Sequence, residues 1–334
     1  MNKDITYDQV HTKEKQELLK VKMNEVAELI HKKYSLPEKV HTCPVCLSKK
    51  INFYVNKFGF NMDRCNDCNH IFTNPFPSED ALNFYYNSDL KKFENKFFED
   101  SFEKRIPIFT KRIEIINKLL GEGAILDVGS SIGIFIEGLK RNHTKLEITA
   151  CDLNIESCEK LKQKYKDIKV IHSDVLKIEE TKKFEIITLW DTFEHIVSPK
   201  ELLEKILNLL KPNGFFIFST PNTASYEWNI MNKEHIQLLP PGHVNLYNKD
   251  NIKLLATRHK FNVLDVLTLN ASLDLTYVKK EIDLIVSKNQ INEQLSNFIN
   301  YQQALLENPL IFDSIASYLI GQREAGNMVV ILQK

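Results

Sequence analysis

One stretch constrains this chain more than any other: residues 124–135, Ala-Ile-Leu-Asp-Val-Gly-Ser-Ser-Ile-Gly-Ile-Phe. The apolar run from Ala124 to Val128 predicts a buried strand, Gly129 and Gly133 punctuate a loop, and Ile134 to Lys140 predicts a helix. A strand feeding a glycine-bearing turn and a helix start makes a nucleotide-type site. Backbone N–H groups at the helix start face the ligand, and missing side chains let it approach. Asp127, at the strand end, would repel a phosphate and welcome an ammonium group. An ordinary strand–turn–helix with glycines serving turn geometry alone would read the same way, so the rest of the chain has to decide.

The pattern Asp127-x-Gly129-x-Ser131-x-Gly133 resembles the first motif of class I S-adenosylmethionine-dependent methyltransferases, (Asp/Glu)-x-Gly-x-Gly-x-Gly, with Ser131 at the middle glycine. The Gly-x-Gly-x-x-Gly spacing of a dinucleotide fold is missing, which ranks a nicotinamide cofactor lower. Downstream, strands predicted at Leu146–Cys151, Ile168–His172, Phe184–Leu189 and Phe215–Ser219 alternate with helices at Ser157–Tyr165 and Leu202–Leu210. Such alternation implies a doubly wound, mostly parallel α/β sheet that binds its ligand at the carboxyl ends of the strands.

Each strand end then carries a candidate contact. Asp152 lies 25 residues after Asp127, where an acid can accept from both ribose hydroxyls, and Leu153 would lie against adenine. Asp174, beside Val175, could accept from the adenine amino group or cap a turn. Trp190 opens the segment Trp190-Asp191-Thr192-Phe193-Glu194-His195, which is similar to the fourth motif of small-molecule methyltransferases, where Glu-His occupies this place. Leu210-Lys-Pro-Asn-Gly214 resembles the Leu-Lys-Pro-Gly-Gly turn before the fifth strand, with Asn213 tolerating a left-handed backbone. The resemblance covers roughly residues 110–270. It implies S-adenosylmethionine as cofactor, a sixth strand near Phe261–Leu269, and a seventh, Asn327–Leu332, inserted antiparallel beside the fifth.

Composition narrows the partners. The 334 residues are 43% hydrophobic, enough for a core, with 44 basic and 44 acidic side chains. That balance makes a nucleic-acid partner unlikely as a class, because such binders carry a basic excess. No apolar run reaches membrane-spanning length and the amino terminus lacks a signal-peptide core, so a cytoplasmic protein with no membrane partner is expected. In that compartment six cysteines point to metal or free thiols rather than disulfides.

Four of them form a matched set. Cys43-Pro-Val-Cys46 and Cys65-Asn-Asp-Cys68 are separated by 18 residues, the spacing of a zinc ribbon. Two such turns supply the tetrahedral sulfur shell of a structural zinc with no open position. His70 could stand in as a ligand, but the fourth cysteine makes that unnecessary. The ribbon is assigned to residues 41–76, with a hairpin between Ile51 and Phe60. Ahead of it, residues 1–40 form a charged helical arm whose Leu18, Val21, Val26 and Leu29 roughly share a face, either packing at home or pairing with a second copy as a homodimer.

Residues 77–123 predict a helical lead-in, starting at Ser78 and stopping at Gly121–Gly123. In the fold class that the resemblance implies, helices here fold over the cofactor, which makes Tyr85 and Tyr86 lid candidates, against simple aromatic packing. Residues 124–334 make the core, with a helical insert over 271–325 acting as substrate cap, dimer surface or extra layer. His243 followed by Tyr247 resembles a His-aromatic pair on the acceptor side of related enzymes.

For a hydroxyl acceptor a base is needed. His195 is the first candidate and His243 the second. Glu194 could orient His195 or bind a substrate hydroxyl, although neighbours on a helix do not share a face. No second His/Asp/Glu cluster is legible, so no catalytic metal is indicated. The whole plan resembles bacterial methyltransferases with an amino-terminal zinc-binding domain. These imply a sugar, glycan precursor or other small polar metabolite as substrate. Relatives that C-methylate nucleotide-linked keto-sugars carry a further carboxy-terminal domain; this chain ends at the seventh strand, so O-methylation is expected. The reading from another class, a nucleic-acid or protein methyltransferase using the ribbon to hold its substrate, lacks an Asn-Pro-Pro-Tyr type motif.

Overall fold

The computed structural model describes residues 13–142, 145–179, 182–288 and 292–334. The first twelve residues of the predicted arm lie outside the described residues. From Lys13 to Lys33 the chain is one helix, α1. Of the predicted face only Val26 is buried. Leu18, Val21 and Leu29 are exposed, whereas Leu19, Met23, Val26, Ala27 and Ile30 pack against Phe60, Ala81, Tyr85 and Leu90. Both stripes satisfy helical spacing, and only the second meets a partner.

The cysteine segment folds into a hairpin, β1 (Ile51–Lys57) and β2 (Phe60–Cys65), which runs past the expected limit at Phe60. Phe58 (φ 52°) and Gly59 (φ 80°) turn it, the positive pair that a two-residue hairpin turn requires. A Cβ on Gly59 would also come within 2.5 Å of His31 Nε2 on α1. The hairpin is extended by β3 (Ile71–Thr73).

The lead-in helices α2 (Glu79–Tyr86), α3 (Asp89–Asp100) and α4 (Thr110–Leu119) follow. Ser78 caps α2 by accepting from the Ala81 amide.

The core then runs β4 (Gly123–Val128), α5 (Ile134–Asn142), β5 (Leu146–Asp152), α6 (Ile155–Lys164), β6 (Lys169–His172) and β7 (Phe184–Leu189). It continues through α7 (Pro199–Leu209), β8 (Leu210–Pro221), α8 (Tyr226–Met231), β9 (Asn245–Leu246), α9 (Lys249–Arg258) and β10 (Asn262–Leu269). The insert is helical, α10 (Ala271–Lys288), α11 (Glu293–Glu307) and α12 (Pro309–Gln322), and β11 (Asn327–Gln333) closes the sheet.

Seven strands lie in the order β10-β11-β8-β7-β4-β5-β6, parallel except β11, which runs antiparallel between β8 and β10. One apolar layer covers each face. The Leu210–Gly214 segment is strand rather than turn: β8 begins at Leu210, pairs with Phe184, and bends at Asn213 with φ 61°. The short strand β9 belongs to the other sheet. It pairs antiparallel with β3, completing the order β1-β2-β3-β9.

The corrected face of α1 has a direct test. Ile30→Ala is expected to cost about 2–5 kcal/mol in urea unfolding, because a buried side chain leaves a cavity. Val21→Ala should change stability by less than about 0.5 kcal/mol.

Candidate active site

At the carboxyl end of β4 the chain turns through Gly129 (φ 74°), Ser131 (φ 47°) and Gly133 (φ 82°). The first and last need glycine: a Cβ would meet Thr192 Oγ1 at 2.7 Å and Leu161 Cδ2 at 2.5 Å respectively. Ser131 holds a left-handed backbone without that excuse, and its amide donates to Asp152 Oδ2 at 2.7 Å. Asp152 Oδ1 accepts from the Asn154 amide at 2.8 Å. The carboxylate at the end of β5 is thus fixed on both oxygens by backbone, and each oxygen keeps a second lone pair for a hydroxyl. Leu153 beside it is exposed, as a wall for a flat ring would be.

Other predicted contacts sit differently. Asp127 is only 2% exposed and accepts from Thr188 Oγ1 at 2.8 Å. Burial pushes its carboxyl up to about 7, so it supports the loop from beneath rather than offering an open anion to an ammonium group. Asp174 caps the short turn after β6 by accepting from the Leu176 amide at 2.9 Å, beside buried Val175. Trp190 packs between Phe109 and Phe135, with the Arg112 guanidinium 5.0 Å from its ring.

After β7 a short 3₁₀ turn carries Phe193, Glu194 and His195. Its tight winding overturns the expectation that Glu194 and His195 diverge. A carboxylate oxygen of Glu194 and one imidazole nitrogen each from His195 and His243 all lie within 4.8 Å of one another. A second donor cluster therefore exists that sequence spacing, with 47 positions between the two histidines, did not expose. His195 Nδ1 is 2.9 Å from the Gly242 carbonyl, and His243 Nδ1 is 2.9 Å from the Gln237 carbonyl. Carbonyls only accept, so each Nδ1 carries the proton and each Nε2 keeps its lone pair.

Burial holds His195 well below its ordinary value, helped by His243 and Lys91, and lowers His243 to about 4. Burial pushes Glu194 up to about 8, with Asp191 adding to the rise. At neutral pH the cluster is two neutral imidazoles beside a neutral carboxylic acid.

The lid candidates divide. Tyr86 reaches in, its hydroxyl 3.2 Å from His195 Nδ1. Tyr85 is buried at 2% exposure, with its hydroxyl against Gly242, so it is packing rather than lid. Tyr247 is also core: it is fully buried against Phe193 and His70, sealing the small sheet to the large one.

Three contributors escaped the sequence reading. Lys91 on α3 lies 5.6 Å from the Tyr86 ring and pairs with Glu94 at 2.7 Å. Asp191, one residue past Trp190, takes Arg112 Nη1 at 3.1 Å, and Arg112 is 2% exposed. Asp191 was visible as another acid at a strand end; nothing marked Lys91 or Arg112 among the many charges of the lead-in.

Some distance away, the four cysteines come together. Cys43 Sγ and Cys68 Sγ are 3.6 Å apart, Cys46 Sγ and Cys65 Sγ 3.4 Å, and all four lie within 4.8 Å of one another. The two turns are alike: Leu47 and Asn69 follow with φ 63° and 58°, donating back to the carbonyls of Cys43 and Cys65. The hydrogen bond from Cys68 lowers the Cys43 thiol to about 5, while burial raises Cys46 to about 11. His70 points elsewhere, Nε2 on Asn245 Oδ1 at 2.9 Å.

Residues 102–266 match the methyltransferase-domain family model. The ubiquinone biosynthesis O-methyltransferase of Paraburkholderia phytofirmans is 29% identical over 143 residues, 41% of this chain and 61% of the relative. That of Alkalilimnicola ehrlichii is 30% identical over 143 residues, 39% of this chain and 57% of the relative. The chain thus spans about three fifths of the length of these curated relatives. Among solved structures, the plantazolicin methyltransferase BamL aligns at a TM-score of 0.49 with 16% identity, covering 76% of this chain and 94% of its own. With the sheet order, the glycine turn and the family match in hand, residues 102–266 form a class I S-adenosylmethionine-dependent methyltransferase domain.

Proposed function

We propose that this protein transfers a methyl group from S-adenosylmethionine to a hydroxyl of a small polar metabolite, with His195 as general base. The observation that carries the reading is the tautomer. The Gly242 carbonyl supports a proton on Nδ1, which leaves the Nε2 lone pair to accept the acceptor's proton. When bound, S-adenosylmethionine would supply a methyl carried on its sulfonium sulfur, the methyl carbon open to in-line attack and the thioether S-adenosylhomocysteine the leaving group.

The chain's own groups do the rest. Asp152 holds ribose hydroxyls, Gly129, Ser131 and Gly133 line the approach, and Leu153, Asp174 and Val175 bound the adenine. His195 takes the acceptor proton on Nε2. Glu194, neutral at pH 7, donates a hydrogen bond to the acceptor, while Tyr86 and His243 confine it. The density of polar groups favours a sugar or glycan precursor as acceptor. Two relatives are named for ubiquinone biosynthesis, which makes a phenolic hydroxyl the second reading. A cytoplasmic enzyme is consistent with the absence, among the described residues, of any helix long and apolar enough to cross a membrane.

We also assign a structural zinc to Cys43, Cys46, Cys65 and Cys68. Zinc–sulfur bonds of about 2.3 Å in a tetrahedron set the sulfurs about 3.8 Å apart, close to the contacts seen. Four thiols this close cannot all ionise without a cation between them.

Binding and chemistry separate in the tests. Asp152→Ala should weaken S-adenosylhomocysteine binding roughly 10- to 100-fold by calorimetry, the loss of charge-assisted hydrogen bonds. Retained affinity would remove the ribose assignment. His195→Ala should keep that affinity and lower kcat by about 10²–10⁴, with a smaller loss for His243→Ala; the reverse ranking would move the base to His243.

The pH profile follows from the same groups. Neutral His195 persists above its lowered pKa, so the acid limb of kcat/KM should fall below the ordinary histidine range. The alkaline limb should sit near the value of about 8 at which Glu194 loses its proton. An acid limb near pH 6.5, the usual histidine value, would count against His195 as base. Metal analysis should find one zinc per chain, lost together with thermal stability in Cys65→Ser; a metal-free preparation with unchanged melting would exclude the zinc.

A further inference from the structure

Where β2 and β3 meet α8, a cleft of about 90 Å³ opens between Tyr54, Arg64, Asn69, Thr223, Trp228 and Asn232. It uses none of the groups assigned to methyl transfer. Its hydrogen bonding is one-sided. The Tyr54 hydroxyl donates to Asn232 Oδ1 at 2.7 Å. Arg64 Nη2 donates to Asn69 Oδ1 at 2.8 Å. A guanidinium can only donate, so the orientation of Asn69 is fixed by chemistry, and the Tyr54 contact engages the Asn232 oxygen. Each amide is consumed at its oxygen. The two NH₂ ends have no partner among the described residues, and neither does the remainder of the guanidinium among carboxylates.

Charge agrees with this polarity. No acidic side chain lines the cleft. Lys233 Nζ sits 5.6 Å from the Tyr54 ring, adding a second cation. The nearby acid, Glu234, is paired with Lys57 at 2.9 Å. Asn232 also holds φ 45°, ψ −118°, a backbone that non-glycine residues rarely adopt, at the position that presents its amide. The space is several times what one water needs, enough for a tetrahedral oxyanion.

We infer that this cleft binds a phosphate-type oxyanion, free or carried on a small ester, clamping the small sheet to α8. The inference stands apart from the methyl-transfer reading. The test is calorimetry of the full chain with inorganic phosphate, against chloride at equal ionic strength. Saturable binding of one equivalent is expected, weakened at least tenfold (about 1.4 kcal/mol) in Arg64→Gln. Asn69→Asp, which tolerates the left-handed backbone and gives Arg64 a carboxylate, should abolish binding while keeping or raising the melting temperature.

S-adenosylhomocysteine affinity, unchanged in both variants, shows that the fold persists. Glucose 1-phosphate in place of phosphate distinguishes the source. Arg64-dependent binding of the ester supports a phosphate borne on a metabolite, and binding of phosphate alone supports the free ion. No saturable binding of either probe, or binding indifferent to both substitutions, overturns the site.

Discussion

A two-residue strand holds this molecule's chemistry in place. β9, Asn245–Leu246, is hydrogen-bonded to β3 of the small sheet, and its flanks reach the loop after β7. The Val244 amide donates to the Glu194 carbonyl at 3.0 Å, and Asn245 Nδ2 donates to the Ile196 carbonyl at 2.7 Å. The same Asn245 takes His70 Nε2 through its other end. One fully buried asparagine thus ties the cysteine-bearing sheet to the turn that carries His195. Gly242 and His243, just upstream, are positioned by the same pairing. A buried amide with all its ends engaged is costly to disturb, because each partner would be left unsatisfied. Precision at His195 therefore depends on the small sheet, some 120 residues earlier in the chain.

That anchoring explains the electrostatics. Two histidines and an acid are pressed together where burial disfavours every charged form. Histidine falls and glutamate rises, so that acid and base are inverted relative to water at neutral pH: the imidazoles are free to accept and the carboxyl is able to donate. Lys91 reinforces this. Paired with Glu94 and laid against two tyrosine rings, it leaves a positive charge near the cluster that further disfavours imidazolium.

How much of this was legible follows from the range of each interaction. The glycine turn, the alternation of strands and helices and the paired cysteines are local patterns, and they fold where the spacing placed them. The face of α1 was not legible, because two stripes fit one helix and only the partner surface chooses between Leu18 and Leu19. Tyr85 and Tyr247 were read as reaching the substrate because they are aromatic and near candidate residues. Burial in contacts distant in sequence made them core instead. The Glu194–His195–His243 grouping was hidden for two reasons. A 3₁₀ turn aims neighbours differently from an α-helix, and His243 arrives only through β9.

The ion pair of Arg112 with Asp191 completes the frame from the other side. Arg112 looks like one more basic residue on an amphipathic helix, yet it is 2% exposed and lies 4.8 Å from the Phe109 ring. Asp191 sits just past the end of β7 in a left-handed conformation, φ 48°. Its Oδ1 also accepts from Ser219 on β8 at 2.8 Å and Asn327 on β11 at 2.8 Å. Three elements therefore converge on one carboxylate. Arg112 and these hydrogen bonds keep it below the usual carboxylate range, against the pull of burial. A surface ion pair contributes little, but one whose cation is enclosed cannot lose its partner without stranding a charge. The strained backbone at Asp191 is thus held by bonds from three directions. The adjoining Trp190 and Glu194 inherit fixed positions from it, which is what a site that works by orientation requires.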